Sequence, residues 1–203
     1  MANRRDALKG LVGTLGVFGV RPLSAALPVT PAQSKGPFYP RTIPSDHDND
    51  LTRVHRNGAV AKGQRTDLTG RVLDTTGTPI EGARIEIWQC NAFGRYHHPR
   101  DQSAAPLDPG FQGFGTTLTD ALGGYRFKTI KPVPYPGRTP HIHFLVAAPK
   151  KRTLITQLYV AGDPNNANDV LFRRGSSAPS LLAAHFESVE DGAWRAHFDI
   201  VIR

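Results

Sequence analysis

At the C-terminal end of the chain, Trp194, Ala196, Phe198, Ile200 and Ile202 fall on one face of an extended segment. Arg195, His197 and Asp199 fall on the other. That period-2 pattern is the signature of a half-buried strand, and it puts His197 on the solvent side. The same reading predicts strands at 68–73, 84–88, 115–119, 125–130 and 153–160. Turn sequences such as Asp74-Thr-Thr-Gly-Thr-Pro79 and Asp120-Ala-Leu-Gly-Gly124 separate them. A further strand begins at His141, where two histidines alternate with Ile142 and Phe144, and runs on through Val146. Only Ser180 to Phe186 carries helical spacing. The fold class predicted is all-β, an antiparallel β-sandwich with long irregular loops and at most one short helix.

Composition sharpens this picture. A chain of 203 residues holds one domain with a sizeable core, and its 20 Gly and 17 Pro suit many short strands. A lone Cys90 excludes an internal disulfide and reads as a small buried side chain. The N-terminus reads as a leader: Arg4-Arg5, a weakly apolar run from Leu11 to Val20, then small residues Ser24-Ala25-Ala26. It resembles a twin-arginine signal peptide. The organisation expected is therefore a signal peptide at 1–26, a linker and irregular segment at 27–66, and the sandwich domain at 67–203. Such a leader implies a periplasmic or secreted protein with no stable membrane anchor after cleavage.

The formal charge of +8 does not point to nucleic acid. Without residues 1–26, 21 basic and 16 acidic side chains remain, a net +5. The densest basic run, Lys150-Lys151-Arg152, is one loop without interleaved aromatics. Asp46, Asp48 and Asp50 alternate but lack the Gly and the downstream Glu of a calcium loop. They read as solvated loop.

The chemistry gathers around Tyr135-Pro-Gly-Arg-Thr-Pro-His-Ile-His-Phe144. On a strand, His141 and His143 share a face, their Cα atoms roughly 6–7 Å apart, within reach of one metal ion. Pro140 suits a strand start, and Arg138 and Tyr135 add a cation and a phenol. By itself the pair fits a zinc or copper site as well as iron. Further along, adjacent His97 and His98 point opposite ways on an extended chain, so at most one faces inward.

Several motifs now line up in one order: Gly36-Pro-Phe-Tyr-Pro40, Gly94-Arg-Tyr96, His98-Pro-Arg-Asp101, Ala105-Pro-Leu-Asp-Pro109, Tyr135-Pro136, Arg138-x-x-His141-x-His143-Phe144 and Thr156-Gln157. Together they resemble the intradiol ring-cleavage dioxygenases, most of all the iron-bearing type of subunit that cleaves protocatechuate. The resemblance implies an Fe(III) ion held by Tyr96 and Tyr135 as phenolates and by His141 and His143. Tyr96 and His143 would be equatorial, Tyr135 and His141 axial. Hard ferric iron favours anionic oxygen donors and lowers a phenol far below its usual pKa of about 10. Ferric iron, two tyrosinates and a hydroxide sum to zero, and a catechol dianion replacing the hydroxide and Tyr135 leaves the sum at zero.

The activity implied is cleavage of a small aromatic diol by O2 to a cis,cis-muconate-type diacid. Tyr135 would take a substrate proton, and Arg138 would stabilise developing negative charge. Gln157 and Tyr39 are the expected substrate contacts. Two features depart from the family pattern. Only Pro136 and Gly137 stand between Tyr135 and Arg138, a shorter and less bulky wall than in protocatechuate enzymes. The family motif begins at Gly36, directly after the leader, which leaves no stretch for the helical dimerisation domain of catechol and hydroxyquinol enzymes. Assembly, including a homo-oligomer, stays open. From another class, Gly70-Arg-Val-Leu-Asp74 with Thr78-Pro-Ile-Glu-Gly-Ala83 resembles transthyretin-like sandwich modules, many of which only bind.

Overall fold

The computed structural model describes residues 25–55, 58–174 and 178–203. Apart from its last two residues, the leader expected at 1–26 lies outside them. In chain order the strands are β1 (Arg53–Val54), β2 (Ala59–Val60), β3 (Arg65–Asp74), β4 (Arg84–Trp88), β5 (Phe114–Leu118) and β6 (Gly124–Ile130). They continue with β7 (His141–Ala147), β8 (Leu154–Val160), β9 (Ala183–Ala184), β10 (Phe186–Ser188), β11 (Trp194–His197) and β12 (Ile200–Ile202). One α-helix, α1 (Val170–Arg174), and two short 3-10 turns, Pro164–Ala167 and Pro179–Leu182, complete the described elements.

Two five-stranded sheets form the sandwich, and β1 pairs with β2 apart from them. In the first sheet β3 is central, with β6 antiparallel to it and β11 and β12 parallel to it. The second sheet runs β5-β4-β7-β8-β9. Its first four strands pair antiparallel as expected, and β9 joins β8 in parallel. The alternation at the C-terminus holds: Ala196, Phe198, Ile200 and Ile202 all enter the core. The run is nonetheless two strands, because Phe198 N–H donates to Thr69 O (2.8 Å) and the Asp199 carboxylate takes the Arg71 N–H (2.8 Å) in place of a ladder carbonyl. His197 lies outside, against Thr69 and Asp199.

The helix is not where helical spacing suggested. Residues 180–186 form a 3-10 turn and the start of two short strands, with Leu182 fully buried. The helix falls instead at Val170–Arg174, where Asp169 Oδ1 accepts from the N–H groups of Leu171 and Phe172, an acidic N-cap. None of its residues is buried, so no amphipathic period announces it.

The main core fills the space between the sheets with Leu68, Val72, Phe127, Ile85, Ile142 and Phe144, all fully buried. What positions the functional site is the opposite face of the second sheet. Strand β7 is buried on both sides: Ile142, Phe144 and Val146 go into the sandwich, while His141 and His143 go outward at 2% and 1% exposure. The register sets Trp88 opposite His143, His143 opposite Gln157, and His141 opposite Tyr159. A second apolar cluster containing Trp88, Cys90, Tyr96, Phe114 and Leu145 covers this outer face.

The N-terminal segment completes the cover. Leu27 N–H donates to Thr75 O (2.8 Å), Thr30 N–H to Val201 O (3.0 Å) and Gln33 N–H to Ile155 O (2.8 Å). The Asp46–Asp50 stretch is also tied down. Asp46 accepts from His55 N–H, Asp48 from Asp50 N–H, and Asp50 from Thr52, while neighbouring Leu51 is fully buried.

Candidate metal centre

Strand alternation alone sends both imidazoles to one face, and their Nε2 atoms stand 3.2 Å apart. His141 Nδ1 lies 2.7 Å from Thr139 O. A carbonyl only accepts, so this nitrogen carries the proton and Nε2 keeps its lone pair. With Nδ1 of His141 protonated, a hydrogen shared between the two Nε2 atoms belongs to His143, whose Nδ1 is buried without a partner. Burial, aided by the nearby Arg138 charge, holds His141 down to about 3. Burial and the neighbouring His141 likewise hold His143 well below the usual histidine range. Both rings are therefore neutral at physiological pH, the state that binds metals.

Two phenols flank the pair. Tyr96 follows the turn at 91–94, where Asn91 accepts from the N–H groups of Phe93 and Arg95 and Asp101 accepts from Tyr96 N–H (2.7 Å). Its ring lies 6.4 Å from that of His143 and 5.7 Å from that of Tyr135, centroid to centroid. Tyr135 comes from a tight turn closed on Arg138, 5.6 Å from the His141 ring. The Tyr96 hydroxyl is buried and makes no hydrogen bond of normal geometry, and the polar group it approaches is the Tyr135 hydroxyl. Burial first, then the neighbouring Tyr135 phenol, push its pKa well above the tyrosine norm. Burial raises Tyr135 as well, with Arg138 pulling the other way.

These residues fit a metal ion. Two nitrogens bound about 2.1 Å from one ion at right angles stand about 3.0 Å apart, close to the separation observed. An orphaned buried phenol beside two buried imidazoles whose Nε2 atoms face one another is what a metal-binding cluster leaves when described without its ion. The donor chemistry selects among metals. Among the described residues, the one group of three His, Cys, Asp or Glu with metal-binding spacing is Asp46, Asp48 and His55, remote from the buried pair and already hydrogen-bonded within its loop. Among the described residues, no carboxylate or thiolate forms such a group with His141 and His143. Cys90 is buried, its thiol directed at Val133 O and pushed up to about 12 by burial. The ligands available to complete the set are phenols, which favour a hard, highly charged ion.

Around this set the sheet and the N-terminal segment build a rigid frame. Trp88 stacks on the His143 ring at 4.8 Å, within 3° of parallel. Phe38 stacks on Tyr96 at 4.5 Å. Gly36 crosses His143 with φ at +70°, and a Cβ there would stand 3.2 Å from Cε1 of the imidazole. Only a residue without a side chain passes so closely in that conformation.

Arg138 Nε donates to Asp169 Oδ2 (2.8 Å) and Nη2 to Gln157 Oε1 (2.6 Å), and Nη1 approaches the Tyr135 hydroxyl at 3.5 Å. Asp169 Oδ2 also takes the Thr139 N–H (3.0 Å), so one carboxylate steers both the guanidinium and the carbonyl that fixes the His141 tautomer.

The residues expected to touch substrate are placed differently from one another. Gln157 is fully buried, and its amide is engaged by Arg138, by Tyr159 (3.0 Å) and by Ser34 O (2.9 Å). It orients Arg138. Tyr39 is not brought to the imidazoles: its hydroxyl donates to Glu86 (2.8 Å) and its ring packs on Trp88. His98 turns inward against Phe38, and His97 faces solvent. The supporting roles of Asp169, Tyr159, Gln33, Phe38 and Trp88 carry no local signal, because each depends on a partner far along the chain. Tyr159, for instance, donates to Gln33 at 2.7 Å.

Comparison with known proteins identifies the family. A family model described as Dioxygenase matches residues 34–203. The chain is 42% identical to the protocatechuate 3,4-dioxygenase beta chain of Burkholderia cepacia over 87% of this chain and 76% of that one. It is 34% identical to hydroxyquinol 1,2-dioxygenase of Corynebacterium glutamicum, over 85% of this chain but 63% of that one. Among solved structures, the dioxygenase domain of a dioxygenase carbohydrate-binding protein fusion from Streptomyces sp. SirexAA-E superposes with a TM-score of 0.67 at 29% identity. That match covers 86% of this chain and 97% of the domain. A shared fold, a match across nearly the whole described chain, and two phenols beside a buried histidine pair lead to one statement: the chain belongs to the intradiol ring-cleavage dioxygenases, a family of oxidoreductases.

Proposed function

We propose that this protein is a non-haem Fe(III) enzyme that cleaves a catechol-type diol between its two hydroxyl-bearing carbons, with both atoms of O2 entering a cis,cis-muconate-type diacid. Tyr96, Tyr135, His141 and His143 are the residues that would hold the ion. When bound, ferric iron supplies the Lewis-acid and redox chemistry that makes a catechol reactive toward O2. The chain supplies the rest. Both phenols have raised pKa values when the ion is absent, so loading expels their protons and two fixed negative charges offset the ion.

Tyr135 is the half-open phenol, beside the Arg138 guanidinium at 3.5 Å. It is therefore the phenol suited to take a proton from an incoming diol, and Arg138 steadies the anionic charge that develops next to it. Asp169 and Gln157 hold the guanidinium in place. Trp88 and Gly36 pack directly on the His143 ring, and Phe38 on the Tyr96 ring, and hold both in place. The leader expected at 1–26 makes this an exported enzyme in the same proposal.

The observation that carries the reading is the pair of buried neutral imidazoles with Nε2 atoms 3.2 Å apart and an unpartnered buried phenol beside them. The test is reconstitution of the full chain with ferric iron, followed by absorption spectroscopy and oxygen uptake on catechol, protocatechuate and hydroxyquinol. A tyrosinate-to-iron charge-transfer colour, with one O2 consumed per diol and a muconate-type product, is expected. A colourless protein at full iron occupancy, or no oxygen uptake with any of the three, overturns the proposal.

A further inference from the structure

Among Tyr96, Tyr135, Arg138, His141 and His143, only Tyr135 and Arg138 are partly open. Both line one cavity of about 260 Å³ whose other walls are Pro134, Gly137, Thr139, Asn165, Asn168 and Asp169. The cavity is the approach to the centre on the side of Tyr135 and Arg138, while a second cavity of about 310 Å³ lies against Tyr96, Phe38 and Trp88. Gly137 keeps one wall low, since a Cβ built there meets nothing within 4 Å. The volume is a little below that of a whole small-molecule site, which suits part of an aromatic ring and one substituent.

The charges of this wall cancel or lean negative. Arg138 is bound to Asp169 at 2.8 Å, and the Asp169 carboxylate is fully buried. A second carboxylate, Asp163, stands behind the wall, with Oδ1 3.5 Å from Thr139 Oγ1 and 2.8 Å from Asn165 N. No unpaired cation lines the cavity among the described residues. Asn165 and Asn168 present exposed carboxamides to it, and among the described residues neither has a side-chain hydrogen-bond partner. They offer donors and acceptors without charge.

We infer that this cavity receives the ring substituent of the substrate and selects catechols whose substituent is uncharged and hydrogen-bonding over those bearing a carboxylate. The inference rests on the intradiol reading above. A carboxylate entering here gains no free cation, because Arg138 is already paired with Asp169, and it meets the charge of Asp163 uncompensated on this wall, a repulsion of roughly tenfold in kcat/KM. A hydroxyl or hydroxymethyl group finds amide partners instead.

Dihydroxybenzyl alcohol and protocatechuate separate the two cases, because they carry a hydroxymethyl and a carboxylate at the same ring position. With the iron-loaded full chain at neutral pH, kcat/KM is expected to favour the alcohol about tenfold. Asn168→Lys places a cation in the wall without touching the metal ligands, and it is expected to bring the ratio to about one or reverse it. Calorimetric binding of the same two compounds under anaerobic conditions reads the preference without turnover. Turnover with a ratio that favours protocatechuate, or one that Asn168→Lys leaves unmoved, overturns the cavity assignment and leaves the intradiol reading standing. No turnover of either compound, nor of catechol or hydroxyquinol, sinks the intradiol reading, and equal anaerobic binding of the two substituted compounds sinks the cavity assignment as well.

Discussion

Replacing Tyr96 by Phe moves the stability of the empty and the iron-loaded protein in opposite directions. In the empty chain the Tyr96 hydroxyl is buried without a hydrogen-bond partner, and an unsatisfied buried hydroxyl costs about 1–3 kcal/mol. The ring itself is well packed, stacked on Phe38 at 4.5 Å and edge-on to Tyr135 at 5.7 Å, and Phe keeps those contacts. Tyr96→Phe is therefore expected to stabilise the metal-free protein by about 1–2 kcal/mol, a rise of about 2–8 °C in Tm for a chain of this size. Once iron is added the sign changes. The variant lacks one anionic ligand, so the stabilisation that wild type draws from its bound ion shrinks, and the charge-transfer band bleaches or shifts. Thermal melts of both proteins, stripped by chelation and then reloaded, with spectra taken on the same samples, measure every quantity. An empty variant less stable than wild type by about 1 kcal/mol or more, or an iron spectrum identical to wild type, refutes the reasoning.

Acid should weaken the empty protein well before its carboxylates titrate. His141 is held at about 3 in the fold against about 6.5 unfolded. The unfolded chain binds the extra proton between those values, so stability is complete above pH 6.5 and is lost as pH falls toward 3. About 2 kcal/mol is expected to go between pH 7 and pH 5 from this residue alone, with His143 adding in the same direction; urea titrations at the two pH values check it, and His141→Gln should flatten the slope. Arg138→Lys removes the fork that spans Asp169 and Gln157, so kcat is expected to drop by about 100-fold or more with iron content by metal analysis unchanged. Gly36→Ala adds a methyl 3.2 Å from the His143 ring at a left-handed φ of +70°, and a loss of about 1–2 kcal/mol in chemical denaturation is expected; a neutral result would mean that the N-terminal segment does not pack over the histidine.

Much of this architecture could be read from alternation, because alternation is a local property. The β4, β7 and β8 segments are legible since each buries both of its faces in a fixed pattern, and the His141–His143 pair follows from the same period. Strand direction is not local, so nothing in Trp194–Ile202 announces that β11 and β12 run parallel to β3. The helix escaped for a similar reason. It is a single exposed turn set by the Asp169 cap, whereas Pro179–Leu182 buries Leu182 and mimics helical spacing. At the centre, residue types known to bind metal stand out, but their holders do not. Asp169 is 31 residues from Arg138, and Gln33 is 126 from Tyr159. Tyr39, expected from sequence as a substrate contact, donates its hydroxyl to Glu86, 47 residues away.

The segment that crosses the histidines has a kinetic corollary. Residues 33–38 shield the ring of His143 and brace Gln157 and Tyr159, yet they are pinned through Thr30 to Val201, two residues from the end of the chain. The stretch over the histidines therefore settles only once a partner 171 residues further along is in place. Contacts of such long sequence separation form slowly, so the cover over the His143 ring is a late-forming part of the fold.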